Sequence, residues 1–478
     1  MIKEDIIRIK SEFESVFKER SDEINCSMLA LLSGEHALFL GPPGTAKSML
    51  SKAICETVDG RFFYYLLTRF TTPEELFGPL SLKALQQDDF RRNIDGYLPT
   101  AHIAFLDEIF KSNSSILNSV LTILNERRFH NGRVVMDVPL LSVFAASNEL
   151  PEENESLEAL YDRFLFRCSL EYVQDDENFK ELIFSHKDTF KPCARLTLSD
   201  IAKVMEATRE IKIDEDVEKI ILGTRRELGT RNIFLSDRRW KKIVKVLKVA
   251  SATIGRASVD RTMMLLIQHM AWDKPEQKEH IRNILIDMVI SGGESLDKLK
   301  KDVEDLQALV QKTIDYKFPL PIRCYNCNDV FENSREMAAH WKKCPDHLYY
   351  DPYRTSLSLR YFNYVNMVRV LKDEYRWNFV DNTPAVTRSY MIDLTDLKER
   401  YQQAWNRVEE DSEGLRKLLA DNIWVSNNDR IEILNRLENK TRLLEGIHQT
   451  IKGIDTMLEQ NEYASVFEQD VMPATEAQ

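Results

Sequence analysis

One stretch of this 478-residue sequence constrains its fold more than any other: residues 41–48, which read Gly-Pro-Pro-Gly-Thr-Ala-Lys-Ser. A short apolar run, residues 37–40, precedes it, and residues 49–58, which can form a helix, follow it. A strand, a glycine-rich turn and a helix in this order are the context that a phosphate-binding loop requires. The sequence therefore predicts a turn whose backbone N–H groups, together with the helix N-terminus, face the phosphates of a nucleotide.

Two side chains at the end of this loop carry its chemistry. Lys47 would reach the β- and γ-phosphates, and the Ser48 hydroxyl would hold Mg²⁺. Ala46 stands where the pattern G-x-x-x-x-G-K-[ST] usually has glycine, and we expect alanine to tolerate the geometry of the helix entry. An ordinary tight turn is the alternative, but it does not account for Lys-Ser at this spacing. The candidate nucleotide-binding residues are Gly41, Pro42, Pro43, Gly44, Thr45, Ala46, Lys47 and Ser48.

Polar side chains follow two further predicted strands. Residues 103–106 run into Asp107 and Glu108, and residues 141–147 run into Asn148. At the carboxyl edge of an open α/β sheet, where ligands bind, Asp107 could hold the water shell of Mg²⁺ and Glu108 could polarise an attacking water. Asn148 could orient that water, although it could also only cap the strand. Solvated acids at a strand end are the alternative for Asp107 and Glu108, and the upstream phosphate loop favours the nucleotide site.

Two arginines are further candidates for phosphate contact. Arg163 lies near the end of a predicted helix and could face the phosphates of a neighbouring subunit. A surface ion pair of Asp162 with Arg163 or Arg167 is the alternative, and spacing alone leaves both open. Arg238 falls in the first turn of a helix that Ser236 can cap, where a cation opposes the helix dipole. Its position suggests an anionic partner, such as nucleotide phosphate.

Composition places this chain among globular proteins of two or three domains. Its net charge of −12 gives no reason to expect non-specific nucleic-acid binding. No apolar run approaches the roughly 18–20 residues of a membrane span, and the charged N-terminus does not resemble a signal peptide. The seven cysteines do not suggest a disulfide scaffold. We therefore expect a cytoplasmic protein without a membrane span.

Beyond about residue 275 the pattern changes to charged helices with narrow apolar stripes, which is typical of coiled coils. The stripes comprise Leu296, Leu299, Val303, Leu306, Val310 and Ile314; Leu394, Leu397, Tyr401, Ala404 and Val408; and Leu434, Leu437, Thr441, Leu444, Ile447, Ile451, Ile454 and Leu458. We expect these helices to form a bundle that projects as an arm, the alternative being three separate helices on a globular core. The polar tail after them is expected to be loose.

Between the first and second of these stripes lies a pattern of metal ligands, C-x₂-C-x₁₂-H-x₃-C. The candidate Zn²⁺ ligands are Cys324, Cys327, His340 and Cys344. His340 and Cys344 fall one turn apart on a predicted helix, so both can point at one tetrahedral ion. Phe331 and Met337 occupy the two apolar core positions of a ββα finger. His347 is a possible substitute ligand, less favoured because Pro345 interrupts the helix.

The charge balance of this finger favours binding to protein over binding to DNA. Its basic and acidic side chains balance: Arg323, Arg335, Lys342 and Lys343 against Asp329, Glu332, Glu336 and Asp346. Phosphate contacts dominate affinity for DNA, so a single neutral finger should bind it poorly. Residues 348–388 are rich in aromatic side chains, which we interpret as a small core under the finger rather than a stacking platform.

Seven motifs in a set order resemble the MoxR family of AAA+ ATPases, and within it the RavA-type subfamily, over roughly residues 5–275. They are residues 41–48, Thr-Arg-Phe-Thr-Thr-Pro-Glu-Glu-Leu-Phe-Gly-Pro-Leu-Ser (68–81), Phe-Leu-Asp-Glu-Ile (105–109), Leu-Asn-Glu-Arg-Arg-Phe-His-Asn-Gly (124–132), Ala-Ala-Ser-Asn-Glu-Leu-Pro (145–151), Leu-Glu-Ala-Leu-Tyr-Asp-Arg-Phe (157–164) and Ser-Asp-Arg-Arg-Trp-Lys-Lys (236–242). The resemblance implies that Lys47 and Ser48 belong to Walker A, Asp107 and Glu108 to Walker B, Asn148 is sensor 1, Arg163 is an arginine finger acting in trans, and Arg238 is sensor 2.

The resemblance also implies partners. A finger that acts in trans implies a homo-hexamer, and MoxR proteins typically act with a von Willebrand factor A domain protein in chaperone-like remodelling or maturation. Loops of this family commonly have alanine at the position of Ala46. RavA-type proteins carry an inserted domain in their C-terminal arm, and the zinc-ligand segment occupies that place here.

The sequence thus predicts an α/β fold: an AAA+ P-loop core, a helical lid and a helical, coiled-coil-like arm with a small zinc-binding insert. The predicted domains are 1–190 (AAA+ α/β), 191–275 (lid), 276–320 with 389–460 (arm), 321–388 (insert) and 461–478 (tail). We expect an ATPase that uses ATP/ADP, Mg²⁺ and Zn²⁺ and contacts a protein client through the arm. A nucleic-acid-dependent ATPase and a scaffold gated by nucleotide are the alternatives, and the intact Glu108 argues against the scaffold.

Overall fold

The computed structural model describes residues 2–151, 155–184, 192–291, 296–314, 322–324, 327–331, 340, 349–350 and 384–459. These residues belong to two compact units. The first unit comprises Met1–Gly293 with Gly414–Asn435, and the second comprises Glu294–Glu413 with Arg436–Gln478.

The first unit combines helices with short strands. Its helices are α1 (Ile2–Val16), α2 (Ser21–Ser33), α3 (Lys47–Cys55), α4 (Pro73–Phe77), α5 (Leu82–Leu85), α6 (Ser114–Glu126), α7 (Glu155–Tyr161), α8 (Asp176–Phe184), α9 (Leu198–Ala207), α10 (Glu215–Thr230), α11 (Asp237–Thr253) and α12 (Gln277–Ser291). Its strands are β1 (Ala37–Leu40), β2 (Val58–Asp59), β3 (Phe62–Leu66), β4 (Ile103–Asp107), β5 (Arg128–Asn131), β6 (Val134–Asp137), β7 (Ser142–Ser147), β8 (Phe166–Ser169), β9 (Leu196–Thr197), β10 (Lys212–Ile213) and β11 (Ser258–Val259). Short 3₁₀ helices span Leu98–Thr100, Ile109–Lys111 and Arg261–His269.

A parallel sheet of five strands forms the centre of this unit, in the order β3-β4-β7-β1-β8. Strands β1 and β7 are buried along their whole length. Their side chains are mostly apolar because helices cover both faces of such a sheet. The register pairs Leu40 with Ser147, so β1 and β7 end at the same edge. The predicted α/β core is confirmed.

Strand β3 has one exposed face, although its sequence is wholly apolar and aromatic. Phe62, Tyr64 and Leu66 are exposed, and Phe63 is buried. Among the described strands β3 lies at the end of the sheet, next to β4. Position in the sheet, which local sequence does not encode, decides this burial.

Strands β5 and β6 form a hairpin, and its turn lies one residue later than an Asn-Gly turn at residues 131–132 would place it. Asn131 pairs with Val134 as the last strand pair, so Gly132 and Arg133 form the turn. The Asn131 side chain accepts a hydrogen bond from the Arg92 N–H at 2.6 Å and donates one to the Arg92 carbonyl at 3.1 Å. These two contacts hold Asn131 in the strand.

The phosphate-loop glycine at the end of β1 is structurally required. Gly41 has φ 152°, and a Cβ placed on it would lie 2.3 Å from the carbonyl oxygen of Leu170. We therefore expect Gly41→Ala to destabilise the first unit by about 2 kcal/mol or more and to weaken nucleotide binding. Thermal unfolding and nucleotide titration measure the two effects.

Gly446→Ala is the matched control for this substitution. Gly446 lies on an exposed helical face, with nothing within 4 Å of an added Cβ. Alanine there should raise stability by up to about 1 kcal/mol. A Gly41→Ala protein as stable as the parent would contradict the contact with Leu170.

A C-terminal segment, Gly414–Asn435, belongs to the first unit, whereas the sequence pattern placed it in the arm, residues 389–460. Trp424 is buried. The buried carboxylate of Asp429 accepts a hydrogen bond from Gln268 at 2.8 Å. These buried partners lie far apart in sequence, so no local pattern indicated them.

The second unit contains α13 (Leu296–Ile314) and parts of α14 (Pro384–Asp421) and α15 (Asn427–Glu459). All three predicted stripes contribute to one core: Leu299, Val303, Leu306 and Val310; Leu394, Leu397 and Tyr401; and Leu444, Ile447, Ile451, Ile454 and Leu458. The packing of three helices is confirmed, and their coiled-coil geometry stays a prediction. Strands β12 (Ile322–Cys324), β13 (Val330–Phe331) and β14 (Tyr349–Tyr350) form an antiparallel sheet, and the tail 461–478 lies outside the described residues.

No helix within the described ranges combines the length and apolar character that crossing a membrane requires.

Candidate active site

The phosphate loop joins β1 to the N-terminus of α3, as its sequence predicts. Gly44 and Ala46 both have positive φ, 82° and 65°. For Ala46 this left-handed conformation costs about 1 kcal/mol relative to glycine, so alanine fits there with some strain. Among the described residues, none accepts a hydrogen bond from the backbone N–H groups of Gly44, Thr45 or Ala46. These donors are available to an anion.

Lys47 is buried at the start of α3, with its ammonium turned back over the loop. Its Nζ donates to the carbonyl oxygens of Gly41 at 2.7 Å and Pro42 at 2.8 Å, and to Asn148 Oδ1 at 2.9 Å. Burial lowers the pKa of Lys47, and the nearby carboxylates of Glu108 and Asp107 oppose that shift. The Lys47 ammonium therefore lies where the carboxyl ends of β1, β4 and β7 meet.

Asn148 joins the lysine to the acid. Its Nδ2 donates to Glu108 Oε1 at 2.7 Å, while its Oδ1 accepts from Lys47. The amide orientation follows from its neighbours, because an ammonium can only donate and a carboxylate can only accept. The structure therefore places these three side chains in one chain of hydrogen bonds.

Ser48 and Asp107 form the adjacent pair. The Ser48 hydroxyl donates to Asp107 Oδ2 at 2.8 Å. The other oxygen of Asp107, Oδ1, accepts from the backbone N–H of Glu108 at 3.1 Å. A hydroxyl and a carboxylate at this separation are oxygen ligands of the kind that Mg²⁺ prefers, so the residues present fit that ion.

Lys111 is a residue of this site that sequence reasoning missed. Its Nζ lies 3.2 Å from Glu108 Oε2. Glu108 has a φ of 54°, and Lys111 follows in the short 3₁₀ helix Ile109–Lys111. The i, i+3 spacing of acid and lysine was the available signal, but it is too common to identify a site by itself.

Arg163 and Arg238 lie elsewhere. Arg163 precedes β8, whose first residue pairs with the first residue of β1, so it sits at the amino edge of the sheet. Arg238 is exposed and donates to Asn125 Oδ1 at 3.3 Å, near the end of α6. The carbonyl of the preceding residue, Leu124, lies 3.4 Å from Nε2 of His36, the residue directly before β1, so Arg238 is also at the amino edge. The loop lies beyond the far end of β1, a strand of about 13 Å. The structure therefore does not bring either arginine to the phosphate loop of its own chain.

The two arginines are close to each other. Burial and the guanidinium of Arg238 lower the pKa of Arg163. Asp162 is the counter-ion, with its carboxylate 3.5 Å from Arg163 Nη1. Within the described part of the chain, Arg163 Nε has no hydrogen-bond partner. The partly exposed Arg163 and the exposed Arg238 thus form a cationic pair that is suited to an anion from outside the chain.

The neighbouring arginines have structural contacts. Arg239 is buried, donates to Asp162 at 3.2 Å and to the Met270 carbonyl at 2.6 Å, and its pKa falls to about 10 because of burial and nearby Arg167. Arg167 is buried and pairs with Asp273 at 2.6 Å. Of the two adjacent arginines at the start of α11, the exposed Arg238 is thus the one left for a ligand.

Comparison with known proteins gives two family matches. Residues 4–195 match a model described as the MoxR domain in the MoxR-vWA-beta-propeller ternary systems, and residues 216–285 match the AAA lid domain. Both matches lie within the first unit.

Three relatives illustrate the similarity. Uncharacterized protein MJ0079 of Methanocaldococcus jannaschii is 40% identical over 327 residues, which span 66% of this chain and 85% of that protein. Uncharacterized protein MJ0812 of the same organism is 44% identical over 271 residues, 56% of this chain and 72% of its own. Chaperone MoxR1 of Mycobacterium tuberculosis is 24% identical over 218 residues, 43% of this chain and 56% of its own.

Proposed function

This chain belongs to the MoxR family of AAA+ ATPases, and on that premise we propose that it hydrolyses ATP at sites shared between neighbouring subunits. One observation carries the proposal: Asn148 connects Lys47 to Glu108, next to the pair of Ser48 and Asp107. In this proposal Lys47 is the phosphate-binding cation, Glu108 is the general base bridged to it by Asn148, and Ser48 with Asp107 is the neighbouring metal-binding pair.

Each residue of the site has a role in this reaction. The loop N–H groups and Lys47 hold the β- and γ-phosphates, and Ser48 and Asp107 would hold Mg²⁺, which offsets phosphate charge. Glu108 accepts a proton from the water that attacks the γ-phosphate, and Asn148 keeps that carboxylate in place.

The arginines act on the next subunit. Arg163 as a finger and Arg238 as sensor 2 would both contact the phosphates bound by a neighbour. Their position at the amino edge of the sheet, and the closeness of the two guanidinium groups, support this assignment. Such sites require a closed ring of subunits, in which each site takes arginines from the adjacent chain. We propose that this ring is a homo-hexamer.

We further propose the partners of the ring. A von Willebrand factor A domain protein is the favoured partner, because the description of the matching family model refers to MoxR-vWA-beta-propeller ternary systems. The work of the ring would be chaperone-like remodelling or maturation of a protein client. Contact with the client would run through the helical arm and its insert, residues 321–388. The RavA-type assignment stays a prediction.

A turnover assay tests the proposed function. The purified chain should hydrolyse ATP only when Mg²⁺ is present. The expected turnover is at most about 100 ATP molecules per second per site. Adding double- or single-stranded DNA should leave the rate unchanged, since the chain has a net charge of −12. Strong stimulation by DNA would instead support a nucleic-acid-dependent ATPase, and absence of turnover in every condition would contradict the proposal.

A further inference from the structure

The insert contains a short hairpin with a metal-ligand residue at each side of its turn. Strands β12 and β13 pair antiparallel, with Arg323 opposite Val330. Cys324 ends β12, and Cys327 lies in the turn that leads to β13. Asn328, directly after the second cysteine, has φ 63°, a conformation that tightens the turn. A cysteine pair at C-x₂-C spacing around such a turn can place both thiols on one side.

A histidine from a different part of the insert reaches this turn. The Sγ of Cys327 and the Nε2 of His340 lie 3.0 Å apart. Two ligands of one tetrahedral zinc, with bonds of about 2.3 Å to sulfur and 2.0 Å to nitrogen, lie roughly 3.5 Å apart. The two atoms are therefore already near the separation that a shared ion imposes.

From this juxtaposition we propose that the insert is a structural zinc site, with Cys327 and His340 as two of its ligands. The sequence pattern supplies Cys324 and Cys344 as the other two, a set of three thiolates and one imidazole that closes a tetrahedral site. The Cys344 position and the expected core residue Met337 lie outside the described residues. Zinc here would hold the insert folded and would take no part in ATP hydrolysis.

Two alternative roles for these side chains must be distinguished from the proposed zinc site. Asp329 Oδ2 lies 3.1 Å from the Cys327 Sγ and 3.9 Å from His340 Nε2, so Cys327, Asp329 and His340 could form an oxygen-containing site. The Asp329 side chain is 62% exposed, and closed structural sites favour thiolate over such a carboxylate. Cys327 and His340 alone could also be a thiolate–imidazole pair, but that chemistry gives no use for Cys324.

Metal analysis of the full chain tests the site. Protein expressed with zinc and dialysed exhaustively should carry about one zinc ion per chain. Cys327→Ser and His340→Ala should each lose most of it. Co²⁺ added in excess in place of zinc should give the spectrum of a tetrahedral, thiolate-rich site. Under that condition, serine at any one of Cys324, Cys327 or Cys344 should lower the sulfur-to-metal band by about a third, because each supplies one of three thiolates.

Matched controls separate the outcomes. Cys193→Ser, at an exposed cysteine of the first unit, should keep the full zinc content. Asp329→Asn should also keep it, and loss of zinc in that variant would replace the proposed ligand set. A zinc-free protein from zinc-supplemented cells that also fails to bind added zinc would overturn the proposal. ATP turnover measured on Cys327→Ser should match the parent, so failure of the zinc site and failure of the ATPase assignment are distinguishable.

Discussion

Replacing Glu108 by glutamine should leave ATP binding intact and lower turnover by about 10²–10⁴-fold, the usual contribution of a general base. The amide has nearly the same shape as the carboxylate but cannot accept a proton from water. Asn148 can still donate to the remaining carbonyl oxygen at the position of Oε1, so the chain of contacts to Lys47 is retained. Steady-state turnover and titration with a fluorescent ATP analogue measure the two properties.

Glu56→Gln is the matched control, because Glu56 is an exposed acid that follows the far end of α3. It makes the same chemical change and should leave both measurements unchanged. Glu108→Gln with near-parental turnover would remove Glu108 from the role of base. Loss of ATP binding in that variant would show instead that the substitution disrupts the loop.

Alanine at Arg163 should lower turnover by about 10³-fold or more, since an arginine finger contributes that much to phosphoryl transfer. The subunit should remain folded, because Arg163 is partly exposed and Arg239 keeps its own contact with Asp162. Arg238→Ala should also lower turnover, by a smaller factor, and the subunit should remain folded because Arg238 is exposed and its hydrogen bond to Asn125 is a long one of 3.3 Å.

Mixing variants distinguishes action in trans from action in cis. Arg163→Ala and Lys47→Ala chains are each expected to be inactive alone. In a random one-to-one mixture, about a quarter of the sites would combine an intact Lys47 with an intact arginine from the neighbour. Turnover should then recover to about that fraction of the parental rate. If Arg163 served its own subunit, no chain in the mixture would carry a complete site and no activity would return.

The control for these arginines is Arg195→Ala, at an exposed position of the first unit. Its turnover should equal the parental value, and mixing it with Lys47→Ala should only dilute the activity. Failure of the Arg163 mixture to recover, with both variants folded and assembled, would contradict the inter-subunit site.

Local sequence accounts for much of the nucleotide site. The order of Gly41–Ser48, the acids after β4 and the amide after β7 predicted the residues that the structure brings together. This works because parallel strands end at one edge, so residues that follow them in sequence meet in space. The helix caps at Thr72 and Ser236 were also predictable, since side chain and backbone lie within three residues of each other.

Other features depend on partners far away in the chain. Asn125 carries no local signal for its contact with Arg238, which lies 113 residues further along the chain. The exposed face of β3 follows from its place at the sheet edge. Local sequence patterns reveal the periodicity of helices and strands and the residues of turns. Features that depend on distant partners leave no trace in these patterns.

By itself, the sequence determined the phosphate loop, the candidate acids after β4 and the cysteine–histidine pattern of the insert. Only the tertiary structure decided on which edge of the sheet each arginine lies, because that depends on strand order and on how α11 packs. Strand direction separates Arg163 and Arg238 from their own phosphate loop by the length of β1. The candidate site residues that the sequence identifies are therefore divided in space between the two edges of one subunit.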